Sequence, residues 1–180
     1  MTPMNDAPIN TTAINATLDD TNSVNEAQAA ETPEVISSID ANGLAEAIRA
    51  AGCAVTPIER DNQIQLHSAG HGVGFQVVWG NAVEAGVYAD FTLSCALRVA
   101  GGEIPSAVFQ GWHRSKRFAR LAAHGELIVL EMDVTLFGGI TRGHLESTLR
   151  LWVMMVGEFL LYLRSAAAEG EKAPGTAVAG

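Results

Sequence analysis

Between Leu127 and Leu163 the chain changes its hydrophobic period once, and that change limits the folds open to it. Ile128, Leu130, Met132, Val134 and Leu136 alternate with Glu131, Asp133 and Thr135, giving an extended strand one apolar and one polar side. Beyond Gly138 and Gly139 the spacing becomes four and three. Leu145, Leu149, Trp152, Val156, Phe159 and Leu163 then form one stripe along a helix. A one-sided strand and a one-sided helix bury their apolar surfaces against each other, which points to a sheet backed by helices. Six such side chains leaving water contribute about 9–18 kcal/mol gross, at about 1.5–3 kcal/mol each.

The period of two recurs upstream. Ile64 to His67 alternates, a turn at Gly70-His71-Gly72 follows, and Val73, Phe75, Val77 and Trp79 alternate again. After a turn from Gly80 to Gly86, the cleanest strand places Val87, Ala89, Phe91, Leu93, Cys95, Leu97 and Val99 on one face. These three strands read as an antiparallel meander with one face buried. Ahead of them, Ser37, Ser38 and Asp40 offer N-caps for a helix carrying Leu44, Ala45, Ala47, Ile48 and Ala51, with Gly52 as its stop. Gly101 and Gly102 break the third strand. Pro105 opens a shorter helix with Val108 and Trp112 inward, and Phe118–Ala122 pairs with Leu127–Leu136 across His124-Gly125. Thr141 caps the last helix, expected to end near Arg164. The expected fold is α+β, a five-stranded antiparallel sheet with helices in the order α-β-β-β-α-β-β-α.

Composition sets the domain limits. With 48% hydrophobic residues in 180, one core is readily filled. The net charge of −9 is uneven: residues 1–36 hold six acids and no Lys or Arg, whereas 37–168 hold twelve acids and ten bases. Low pI therefore belongs mainly to a tail and speaks against nucleic-acid binding. The segment 1–36 is expected to be a disordered acidic tail, 37–167 a single domain, and 168–180 a second disordered tail. The start lacks the basic and apolar regions of a signal peptide, and Leu151–Leu163 is short for a span and interrupted by Glu158, so a cytoplasmic, soluble protein is expected. Cys53 and Cys95 read as reduced, packed thiols.

The string Trp112-His-Arg-Ser-Lys-Arg-Phe-Ala-Arg120, with Leu130-Glu-Met-Asp133, Gly138-Gly-Ile-Thr141 and the helix bearing Leu149 and Phe159, resembles the YbjN family, a group of proposed bacterial sensory-transduction regulators. The resemblance covers roughly residues 37 to 165. It implies the fold of type III secretion chaperones, an α+β unit that commonly dimerises, and no catalytic residue comes with it. His113 stands where the family usually carries Asn.

No constellation in the sequence performs chemistry. Glu131 and Asp133 share the wet face of their strand, where ion pairing with Lys116 or Arg117 across the hairpin explains them better than acid–base catalysis. Arg114, Lys116, Arg117 and Arg120 suit structural pairing first and an acidic protein partner second. His67 and His71 have no third ligand at metal spacing, and Gly70–Gly74 precedes a strand, so it lacks the helix of a phosphate cradle. Leu151, Met154, Leu161 and Tyr162, with Met155, lie outside the core stripe of the last helix and form a candidate dimer or partner face. The expected function is a non-enzymatic regulatory or chaperone-like protein-binding domain, a homodimer with a further protein partner and no cofactor or metal. A metabolite sensor with its ligand between sheet and helices is the second reading, and a carboxylate-dependent hydrolase the third.

Removal of residues 1–33 is expected to leave the fold intact. A thermal midpoint within about 4 °C of the full chain, roughly 1 kcal/mol for a domain of this size, checks this.

Overall fold

Residues 34–99 and 104–172 are described by a computed structural model. The segment 1–33, the Gly101-Gly102 break and residues 173–180, read above as tails and a turn, lie outside the described residues. The elements run β1 (Val35–Ile36), β2 (Ile39–Asp40), α1 (Ala41–Ala50), β3 (Val55–Arg60), β4 (Gln63–Gly70), β5 (Val73–Trp79), β6 (Ala82–Glu84), β7 (Val87–Tyr88), β8 (Asp90–Arg98), α2 (Ser106–Ser115), β9 (Arg120–His124), β10 (Leu127–Thr135), β11 (Ile140–Thr141) and α3 (Arg142–Lys172).

The main sheet has six strands in the order β3-β4-β5-β8-β10-β9, each antiparallel to its neighbours. The α+β class and the meander β4-β5-β8 are as the alternation predicts. The expected five strands become six because β3 forms an edge. Five of its six residues are exposed and Pro57 removes one donor, so β3 has no alternation to betray it. Its signal is the turn instead. Asp61 and Asn62 both take positive φ, 52° and 62°, the geometry of a two-residue mirror-image hairpin turn. Two small sheets complete the fold, β1-β11 and β2-β7-β6.

Both helix caps foreseen from sequence are made. Asp40 Oδ1 accepts from the Gly43 N–H at 2.8 Å at the start of α1, and Thr141 Oγ1 accepts from the His144 N–H at 3.2 Å at the start of α3. The domain limits move outward. Val35 and Ile36 pair with Thr141 and Ile140, so the folded unit begins inside the stretch assigned to the tail. At the other end α3 continues to Lys172, past the expected end near Arg164 and the domain limit at 167. By length and composition α3 could cross a membrane, yet one side of it closes the core.

Leu145, Leu149, Trp152, Val156 and Phe159 of α3 are buried against the sheet, as their spacing requires. Trp152 meets Phe75 of β5 edge to face at 5.7 Å between ring centroids. Leu44 and Ile48 of α1 enter the same core, with Phe91, Leu93, Ile128 and Leu130 from the central strands. Met155, assigned above to the outer side of α3, is also buried, and Leu151 and Tyr162 are half-buried against the core. At Tyr162 the cover is α2, whose Val108 and Trp112 meet it.

Trp152 is fully buried, and its indole N–H has no hydrogen-bond partner among the described residues. Trp152→Ala is expected to cost about 3–5 kcal/mol through the cavity it leaves. Trp152→Phe, which also deletes the unpaired donor, should cost clearly less. Urea melts of both variants check the order.

Candidate functional site

The basic segment Arg114–Arg120 connects α2 to the edge strand β9, and the structure divides its charges among different tasks. Trp112, fully buried, donates its indole N–H to the Ala119 carbonyl at 2.9 Å. His113 Nε2 accepts from the Leu121 N–H at 3.0 Å. Two consecutive side chains of α2 thus clasp the first residues of β9. The chain between them turns at Phe118, a non-glycine residue at φ 72° whose ring stays exposed beneath the Arg117 guanidinium, 5.0 Å from its centroid. Positive φ costs a bulky residue conformational energy, and the clasp on either side holds it there.

Lys116 leaves this segment altogether and pairs with Glu158 of α3. That corrects the sequence reading, which put Lys116 or Arg117 opposite Asp133. The hairpin closes through Gly125-Glu126, with Gly125 at positive φ, so Arg120 stands opposite Glu131 and β9 ends before it reaches Asp133. Arg120 then binds both acids, Glu131 through Nε at 3.0 Å and Asp133 through the end of its guanidinium. Thr92 Oγ1 donates to Asp133 Oδ1 at 2.7 Å. The prediction of acid meeting base on the wet face holds in kind, with a different base. Arg114 and Arg117 make no ion pair with a described residue and are exposed.

The electrostatics of Asp133 oppose a role for it as a general acid. The Arg120 hydrogen bonds, helped by Thr92, hold the Asp133 carboxyl below its ordinary value and raise the Arg120 guanidinium. A general acid needs the reverse shift. Burial pushes the Cys95 thiol up to about 11 and raises Cys53 as well, so neither is poised as a nucleophile.

Glu131 belongs to a register row that crosses the whole sheet: Thr56, His67, Gln76, Ser94, Glu131, Arg120. His67 is therefore part of this polar row. His71, at the β4–β5 turn, instead rests on α3 at Gly157, where an added Cβ would come within 3.0 Å of Nε2. The two histidines, weighed above as a metal pair, are not brought together. Among the described residues no group of three His, Cys, Asp or Glu is placed to hold a metal.

The candidate partner face of α3 also divides. Tyr162 donates its hydroxyl to the Val108 carbonyl at 2.7 Å and meets Trp112 at 5.4 Å, and Leu151 packs on the core. Both are half-buried. Met154 and Leu161 remain exposed, at 55% and 58%, on a groove of about 420 Å³ shared with His71, Gly157, Glu158, Leu160 and Arg164. Sequence spacing separated these two from the core stripe, but only the placement of α2 shows that Tyr162 is not beside them.

Residues 40–165 match the family model YbjN, "Putative bacterial sensory transduction regulator". The chain belongs to the YbjN family. Among solved structures it is similar to "Crystal structure of YbjN, a putative transcription regulator from E. coli", at 13% identity and a TM-score of 0.44, covering 71% of this chain and 96% of that one. No curated protein matches the sequence. In this YbjN chain the residues that carried the resemblance are largely those of the clasp. Trp112 and His113 hold β9, Lys116 ties α2 to α3, and Arg120 with Glu131 and Asp133 secures the edge. His113, in place of the usual Asn, still presents an acceptor to the Leu121 N–H.

Arg120→Ala is expected to cost about 1 kcal/mol or less at neutral pH, because the pair is half-exposed. Asp133 titrates below its unfolded value of 3.8, so its contribution is present above that pH and is lost as the pH falls through the lower folded value. Thermal melts of wild type and variant should therefore differ at pH 7 and converge as the pH falls below the lowered folded value of Asp133.

Proposed function

We propose that this YbjN domain is a non-enzymatic regulator that acts by contact with other proteins and pairs with a second copy of itself through α3. The observation that carries the reading is the groove at Met154 and Leu161. Two large apolar side chains stand exposed seven residues, about two turns, apart on the same side of α3, in a groove bounded by His71 of the β4–β5 turn. Apolar residues grouped in this way mark contact surfaces more often than solvent faces. A symmetric contact is the simplest cover, since each copy offers the same surface.

Contact rather than chemistry is supported by Asp133 and the two thiols, which are shifted away from reactivity. A further partner with an acidic segment suits Arg114 and Arg117, which stay exposed in the segment closed by the clasp after Lys116 and Arg120 have found carboxylates. The E. coli relative is named a putative transcription regulator. With a net charge of −9 and two of the four bases of the segment already paired, this chain fits regulation through a protein better than direct contact with DNA. Kinship with type III secretion chaperones belongs to the same proposal, supported by the antiparallel sheet and the helices that bury their apolar faces on it.

Met154→Glu with Leu161→Glu should convert dimers to monomers while circular dichroism stays unchanged. Sedimentation of both forms at micromolar concentration decides: a wild type that already sediments as a monomer ends the homodimer reading.

A further inference from the structure

We propose that the cleft between the β3–β4 turn, the start of α1 and the β6–β7 turn binds a neutral, polyhydroxylated small molecule of about monosaccharide size. It shares no residue with the α3 groove, so it stands or falls apart from the dimer reading.

The cleft measures about 380 Å³, at the small end of the roughly 300–1,000 Å³ usual for ligand sites. Its wall is aromatic. Trp79 and Tyr88 stack at 4.6 Å with 14° between their planes, and both are fastened from behind. The Trp79 indole donates to the Ile64 carbonyl at 2.8 Å, and Gln63 Nε2 donates to the Tyr88 hydroxyl at 2.6 Å. This wall is formed before any ligand arrives, which lowers the ordering cost of binding.

The rim is made of amides. Asn42 comes from the first turn of α1 and Asn62 from the strained β3–β4 turn; neither side chain bonds to a described residue, and both are exposed. Gln63 keeps its carbonyl oxygen free of described partners, because only its amide nitrogen is used. An amide offers donors and an acceptor side by side, and a hydroxyl is likewise both donor and acceptor. Charge then selects among ligands. Asp40 lines the cleft, no Lys, Arg or His does, and the positive end of α1 is already capped by the Asp40 carboxylate. Phosphates and carboxylates are therefore disfavoured. An array of hydroxyls with an apolar C–H face matches amides on the rim and aromatic rings on the wall.

The chain carries its own reporter. Trp112 and Trp152 are fully buried, so quenching of tryptophan emission by a bound ligand reads mainly on Trp79. The full chain is titrated with glucose, N-acetylglucosamine and myo-inositol, with glucose 6-phosphate as the charged counterpart. The side-chain amides of Asn42, Asn62 and Gln63 are followed by NMR in parallel. At least one neutral probe is expected to give saturable changes in both signals. Glucose 6-phosphate should bind at least 10-fold more weakly than glucose where glucose binds. Asn42→Ala with Asn62→Gly should weaken the neutral probe at least 10-fold. Alanine suits a helix and glycine suits φ 62°, so an unchanged thermal midpoint will show that the fold is kept. No saturable change with any of the three neutral probes overturns the proposal. So does binding that survives in the double variant, or glucose 6-phosphate binding as tightly as glucose.

Discussion

Trp112 is the residue on which three parts of the molecule converge. Its ring meets Phe159 at 6.0 Å and Tyr162 at 5.4 Å, both edge to face, and its N–H reaches the Ala119 carbonyl. One buried side chain therefore fixes α2 against α3 and starts β9 at the edge of the sheet. A buried indole without that carbonyl would carry an unmet donor, a penalty of about 1–3 kcal/mol that makes the bond as much a requirement as a gain. Once β9 is anchored there, its register against β10 follows, and with it the choice of Arg120 as the partner of Glu131 and Asp133.

The same anchoring explains why a segment dense in bases presents so little free positive charge. Lys116 is drawn to Glu158 on α3 and Arg120 to the acids of β10. Of the four bases, Arg114 and Arg117, between the clasped ends, stay exposed without a described carboxylate. What looks in one dimension like a binding stretch is mainly a fastening between a helix, an edge strand and the core helix. The proposed partner contacts sit on what the fastening leaves over: the Met154–Leu161 groove, and the two arginines beside Phe118.

Much of the architecture could be read from residues alone because its elements are one-sided. Alternation in β5, β8 and β10, the four-three stripe of α3 and the caps at Asp40 and Thr141 are local properties, and each was realised. The misreadings share a cause as well. β3 is an exposed edge strand with a proline, so nothing in its own pattern distinguishes it from a loop, and only the positive-φ pair Asp61-Asn62 marks the hairpin. Leu151, Met155 and Tyr162 lie outside the four-three stripe of α3 yet belong to the core or pack on it, because the buried surface of the helix is wider than one stripe.

Periodicity in this chain decided which residues prefer strand or helix, and the single segment from Trp112 to Phe159 was enough to place it in its family. The strand and helix preferences are consequences of backbone geometry repeating every 2 or 3.6 residues, and they need no knowledge of distant neighbours; the family shows in the residue types themselves. Which base meets which acid, which face of α3 remains open, and that Asn42, Asn62 and the Trp79–Tyr88 pair line one cleft were settled only by the tertiary structure. Pairing across a sheet depends on register, and register depends on a turn and an anchor. A cleft depends on three loops far apart in sequence meeting at one end of the fold. No local period encodes such a meeting.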